Sequence, residues 1–185
     1  MPLVDYDATH YPGIKIDHQG GPDTFWLTAR DALNRIVSQP AGRRMLNELS
    51  QQAATRGFAS WQGAIVKILR PTGLSVTIGK PGEEGGNRSV PVNEITAKNG
   101  TGSASAVYWN SSIWVTPVSG QRPPFIGLAH ELVHAWHAAL GTKKQNYDDE
   151  EMFTVGLGQY ALADPNSITE NKIRVEHNVP IRHRY

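Results

Sequence analysis

Apolar positions along the chain recur at two spacings, and the switch between them separates the elements. From residue 23 or 24 to Pro40, the positions Phe25, Leu27, Ala29, Leu33 and Ile36 follow the helical period. Residues 42–56 repeat it with Met45, Leu46, Leu49 and Ala53, and Gly57 stops it, so two packed helices are predicted. Ahead of them lies an irregular arm rich in Asp, His, Gly and Pro, in which only residues 13–17 alternate like a short strand. Behind them the period drops to two. Residues 64–70 and 74–79 are β-branched runs joined by Pro71-Thr72-Gly73, a hairpin signal, and 106–110 and 113–117 read as further strands after the tight-turn pair Asn99-Gly100. Residues 80–88 are Gly-rich and charged but lack the G-K-[ST] ending of a phosphate-binding loop, so they read as a connection.

The longest apolar stretch is 123–141. Two prolines open it, no proline interrupts it and Gly141 closes it, which predicts a helix of about four turns. Phe125, Leu128, Leu132, Val133, Trp136 and Leu140 make most of its circumference apolar, so it is a buried helix. That burial makes His130, Glu131 and His134 conspicuous, because ionisable groups there are costly unless paired or metallated. His130 and His134 lie four apart on one face, where both rings can ligate one Zn²⁺. Glu131 lies roughly 100° round the helix, within reach of a water at the metal without being a ligand. This is the zincin arrangement H-E-x-x-H. The metal acidifies a water, and the carboxylate takes its proton and passes it to a leaving amine.

A hydrolytic zinc site needs a third protein ligand and an open position. After Gly141 a polar loop leads to a second helix predicted at 149–162, with acids in its first turn and Pro165 closing it. Ser167 followed by Glu170 reads as a capping box for a last helix at 168–177, and the chain ends extended. Downstream candidates for the third ligand are Asp148, Asp149, Glu150, Glu151, Glu170, Glu176, His177 and His183. The pattern H-E-x-x-H-x-x-G-x-x-H is absent. Glu150 and Glu151 suit best, since the loop before them lets the second helix fold back on the first, and composition alone leaves an even choice between that role and an acid pair at a helix N-terminus.

Composition narrows the picture without redirecting it. At 185 residues the chain fits one domain, 1–185, with helices and sheet in 1–120 and a metal-binding helical part in 121–185. A net charge of +1, from 18 basic and 17 acidic residues, gives no global attraction to nucleic acid or anionic membrane. With no cysteine, His and carboxylate must supply any metal site. No basic-then-apolar leader opens the chain and no apolar run approaches about 18 residues, so membrane insertion is not expected and any export is expected to proceed without a cleaved leader.

The run 130–137 with Gly141, followed by Glu150-Glu151-Met152-Phe153-Thr154-Val155-Gly156, resembles the clostridial neurotoxin light chains, whose pattern is H-E-L-x-H-x-x-H and then E-E-x-x-T-[F/V]-G. With Glu170-Asn171-Lys172-Ile173-Arg174 and the R-x-x-Y of Arg182 and Tyr185, it resembles more closely the bacterial effector zinc metalloproteases, NleD-like type III effectors and the toxin domains of type VI and Rhs proteins. The resemblance covers roughly the last 60 residues. It implies an α+β, zincin-like, gluzincin-type fold, expected as a small, mostly antiparallel sheet packed on the H-E-x-x-H helix. It also implies Glu151 as third zinc ligand, Glu150 as a supporting carboxylate holding His137, and Arg182 with Tyr185 as stabilisers of the tetrahedral oxyanion. The expected activity is zinc endopeptidase, with Glu131 as base, acting as an effector or toxin delivered into target cells on a protein or peptide substrate. An immunity protein or a component of the secretion apparatus is a possible partner. Residues 113–116 are the expected edge strand aligning the substrate. The alternatives are a zinc amidase acting on cell-wall peptides, and a zinc-stabilised binding module whose metal is closed by His137 or His183.

Overall fold

The structure is a computed structural model and describes residues 2–18, 24–56, 63–70, 86–116, 120–161 and 166–185. The expected turn at Pro71-Thr72-Gly73, the strand at 74–79, most of the 80–88 connection and the helix stop at Pro165 lie outside the described residues. Strands β1 (Leu3–Asp5) and β2 (Ile14–Asp17) come first, then helices α1 (Phe25–Val37) and α2 (Pro40–Arg56). Strands β3 (Val66–Leu69), β4 (Arg88–Pro91) and β5 (Ser105–Tyr108) follow, then the short β6 (Val115–Thr116) and β7 (Gly120–Gln121). The chain finishes with α3 (Pro124–Leu140), α4 (Tyr147–Val155) and α5 (Glu170–Glu176). Among the described residues no helix is long and apolar enough to cross a membrane.

The fold is α+β, but the sheet is mixed rather than mostly antiparallel. Its order is β1-β2-β3-β5-β4, with β1·β2 and β4·β5 antiparallel and β2·β3 and β3·β5 parallel. The cause is connectivity: α1 and α2 stand between β2 and β3, and a crossover of that length returns the chain in the same direction. The expected 113–117 strand is corrected as well. Among the described residues Val115 and Thr116 pair with Gln121 and Gly120, in a ribbon apart from the main sheet. The edge nearest α3 is β4.

α3 is packed against α1, α2, α4, α5, β4 and β5, and its residues 125–135 are all buried. Ile126, Leu128, Leu132 and Val133 join Ile14, Ile16, Leu33, Ile36, Met45, Leu46 and Ile68 in one core. Trp109 donates its indole N–H to Pro124 O at 3.0 Å, tying the end of β5 to the start of the helix. At the other end Gly141 takes φ +77°, and a Cβ there would stand 2.6 Å from the Gly100 backbone. Only glycine satisfies both the left-handed cap and that approach. Leu27, read as inward from its spacing, faces outward from α1 at 38% exposure.

Candidate metal centre

His130 and His134 project from the buried face of α3 toward α4, and the Asn146 side chain starts α4 by accepting the N–H groups of Asp148 and Asp149. That start brings Glu150 and Glu151, in its first turn and a half, against both imidazoles. Glu151 reaches His130 Nε2 at 3.2 Å with one oxygen and His134 Nε2 at 3.1 Å with the other, and the two Nε2 atoms are 3.2 Å apart. His130, His134 and Glu151 form a buried group able to hold a metal ion.

The opposite ring nitrogens decide the chemistry of that group. His130 Nδ1 lies 2.7 Å from Glu170 Oε2, and His134 Nδ1 lies 2.9 Å from Glu150 Oε1. Carboxylates at Nδ1 hold the proton there, so each Nε2 presents a lone pair toward the other and toward Glu151. Lone pairs and a carboxylate packed this closely repel unless a cation or protons lie among them. Ligands about 2 Å from one tetrahedral ion stand roughly 3.3 Å apart, close to the spacing found, so the donor set fits zinc.

Protonation tells the same story from the metal-free side. Burial would lower the His130 pKa, but hydrogen bonds to Glu151 and Glu170 outweigh it and push it up to about 10. His134 is raised against burial by Glu150 and Glu151. Burial opposes ionisation of Glu150, Glu151 and Glu170, but their histidine partners hold all three below the usual carboxylate range. Glu131, beside His130 on α3, is instead raised by burial, with His130 and His134 opposing.

Around this group the other expected residues fall as follows. Glu150 holds His137 through Nδ1 at 2.9 Å as well as His134, and its second oxygen accepts the Lys144 N–H at 2.8 Å. The His137 ring stacks on Phe153, centroids 4.0 Å apart. Burial lowers its pKa, so it is the neutral member. His137 groups with His134 and Glu150, away from Glu151, and His183 is exposed, so neither sits where a fourth ligand would close the site. Arg182 Nη1 is 3.4 Å from Glu170 Oε2 and its Nε donates to Arg184 O at 2.8 Å. Its backbone is pinned to α5 by two hydrogen bonds with the Asn171 side chain, at 2.7 and 2.8 Å. Tyr185 is thereby carried to α4, its ring edge-on to Tyr147 with centroids 6.0 Å apart.

Three participants escaped the sequence reading, and a fourth entered it in another role. Glu170, weighed as a ligand, is the partner of His130, itself locked by Arg174 Nε at 2.6 Å. Thr154 places its hydroxyl 3.0 Å from His134 Nδ1. Tyr147 stands one turn before Glu151 on α4. Arg122, next after β7, is buried within electrostatic reach of Glu170 and Glu131. Spacing of four from Glu150 to Thr154 and from Glu170 to Arg174 was the available signal for two of them.

Two comparisons bear on this arrangement. No curated protein matches the chain. A family model, Peptidase_M91, described as effector protein, matches residues 13–185.

Proposed function

The chain belongs to the Peptidase_M91 family of effector proteins, a peptidase family, and from that membership we propose that it is a zinc-dependent endopeptidase of zincin-like fold. It acts as one domain, delivered into a target cell, and hydrolyses peptide bonds of a protein there. The observation that carries the reading is the convergence of His130 Nε2, His134 Nε2 and Glu151 within 3.2 Å, with Glu170 and Glu150 on the far nitrogens.

In this reading His130, His134 and Glu151 hold the zinc. When bound, the metal supplies a Lewis acid for the scissile carbonyl and makes the attacking water more acidic. Glu131 does the proton work. Burial raises its pKa, which favours taking up a proton, and in this role it takes a proton from the water as the carbonyl is attacked and delivers it to the nitrogen as the C–N bond breaks. Arg182 and Tyr185, held beside the site by Asn171 and Tyr147, face the charge that develops on the carbonyl oxygen. The substrate lies along β4, the sheet edge beside α3, instead of along 113–116. An acceptor of extended peptide fits that edge better than a cell-wall amide does.

The test is zinc content by mass spectrometry for wild type and Glu131→Ala, each then incubated with a mixed peptide library. One zinc per chain in both, with cleavage falling by about 10²-fold or more in the variant, is expected. Absence of zinc from both overturns the reading.

A further inference from the structure

The face of α3 that carries Glu131 continues one turn toward the N-terminus at Gly127. A Cβ at Gly127 would stand 2.5 Å from Asn87 Nδ2, 3.1 Å from Arg122 Nη2 and 3.3 Å from Arg122 Cζ. An amide and a guanidinium therefore lie directly on the helix backbone where a side chain is missing.

Among the described residues each carries a buried donor atom without an acceptor. Asn87 Oδ1 accepts the Asn110 N–H at 2.8 Å, which fixes the orientation of the amide and turns its NH₂ toward Gly127. That Nδ2 is buried and has no hydrogen-bond partner among the described residues, and the same holds for Arg122 Nε. Arg122 is only 7% exposed, and no described carboxylate forms an ion pair with it. Glu170, the nearest in electrostatic terms, is already bonded to His130, Arg174 and Arg182. Burial depresses the Arg122 pKa, and the charges of Glu170 and Glu131, which lie within electrostatic reach without pairing with it, offset that only in part. Its surroundings also include the cations Arg174 and Arg182, which oppose it further.

We propose that Asn87 and Arg122 form an anion-reading subsite over Gly127 that receives the carboxylate of an Asp or Glu side chain of the peptide substrate. The inference rests on the peptidase reading of the neighbouring site. A full negative charge suits the subsite better than a neutral carbonyl, because Glu170 and Glu131 act on the buried cation only at a distance and neither forms an ion pair with it. A single guanidinium beside a neutral amide matches a monoanion held by paired N–H donors. Position along the substrate follows from the helix: Gly127 and Glu131 are about 6 Å apart along the axis. An extended chain advances about 3.3 Å per residue, so the acidic residue falls within about two positions of the cleaved bond. Asn87 immediately precedes β4, which places the subsite at the head of the edge strand that aligns the substrate.

Thermal melts test the subsite without catalysis. Wild type, Arg122→Met and Asn87→Asp are melted with N-acetyl-glutamate α-amide or with the matching glutamine compound, with and without zinc. Arg122→Met and Asn87→Asp are each expected to melt higher than wild type, since one removes the unpaired charge and the other supplies its partner. The glutamate compound raises the melting temperature of wild type alone, and the glutamine compound moves none. A carboxylate landing on the metal shifts all three proteins alike. Variants that melt lower, with an equal glutamate response in every protein, overturn the subsite. Library cleavage is the second arm. Wild type is expected to favour Asp or Glu over Asn or Gln within two positions of the cut, and the acidic-to-neutral ratio of kcat/KM falls about tenfold or more in Arg122→Met. Cleavage by wild type with no acidic preference removes the subsite and leaves the peptidase. A glutamate-specific melting shift in a protein that holds no zinc and cleaves nothing removes the peptidase and leaves an anion site.

Discussion

Glu150 and Glu151 are adjacent in sequence and grip opposite sides of one imidazole. Glu151 faces His134 Nε2 and Glu150 faces His134 Nδ1, because the residues at this turn of α4 flank the ring. Their substitutions therefore separate. Glu150→Gln keeps the shape of the support but weakens its charge on His134 and His137, and zinc affinity is expected to fall about 10–100-fold. Glu151→Gln alters the proposed third ligand itself and is expected to lose more. Competition with a chromogenic chelator measures both, and equal losses would contradict the division of roles. Glu170 has a third standing. Removing it strands Arg174, buried and bonded to it at 2.6 Å, so Glu170→Ala is expected to cost about 3–5 kcal/mol of stability in urea melts, besides freeing the His130 ring.

Elements were legible where local chemistry decides them. α3 runs from Pro124 to Leu140 as its prolines, apolar body and Gly141 required, and α1 and α2 follow their apolar periods. α4 was read too long. Leu157, Tyr160 and Leu162 extend an apolar pattern, but Gly156 adopts φ +81° and ends the helix, and a Cβ there would stand 2.8 Å from Thr169 Oγ1. The capping box at Ser167 also failed, since Thr169 caps α5 by accepting the Lys172 N–H at 3.1 Å while Glu170 turns inward to His130. Both errors hide in a contact between segments, which a one-dimensional pattern cannot carry. Sheet direction escaped for the same reason: β3 pairs with strands far away in sequence on both sides. The Gly156 contact joins the end of α4 to the cap of α5, and these helices bring Glu151 and Glu170 to His130. Gly156→Ala is therefore expected to lower stability by about 1–2 kcal/mol or more from its backbone alone and to weaken zinc binding with it. A variant with reduced stability and unchanged zinc affinity would show that the contact only stabilises. At the sheet edge, Val92 N–H bonds inward to Ala104 O at 2.8 Å, so alternation turns the Ser89 N–H outward. Ser89→Pro removes that donor and keeps the ladder, and KM for long peptides is expected to rise more than kcat changes. Unchanged kinetics in the folded variant would move the substrate off β4.

At the scale of the whole molecule, α3 packs against β4 and β5 and against the helices α1, α2, α4 and α5, and His130 is clasped by α4 through Glu151 and by α5 through Glu170. That clasp needs a positive charge, which a proton supplies when metal is absent. In the metal-free protein His130 is pushed up to about 10 by Glu151 and Glu170 against its burial, whereas the unfolded chain titrates it near 6.5. A raised folded pKa gives stability that is fully present below about 6.5 and is lost as pH rises through about 10. The depressed carboxylates act oppositely, with stability present above their ordinary range near 4.3 and lost as pH falls below it. Metal-free protein is thus expected to be most stable between about pH 4.5 and 6.5 and to weaken on either side. In the proposed site zinc would replace the proton at His130, so its binding is expected to release protons at neutral pH and to strengthen as pH rises. The separation between urea midpoints with zinc and with chelator is therefore expected to widen from pH 6.5 to pH 9.5, and calorimetry in two buffers of different ionisation enthalpy is expected to register the released protons. A separation that narrows over that interval would mean that His130 is not clasped by the two carboxylates in solution, and the three-helix arrangement of the site would have to be redrawn.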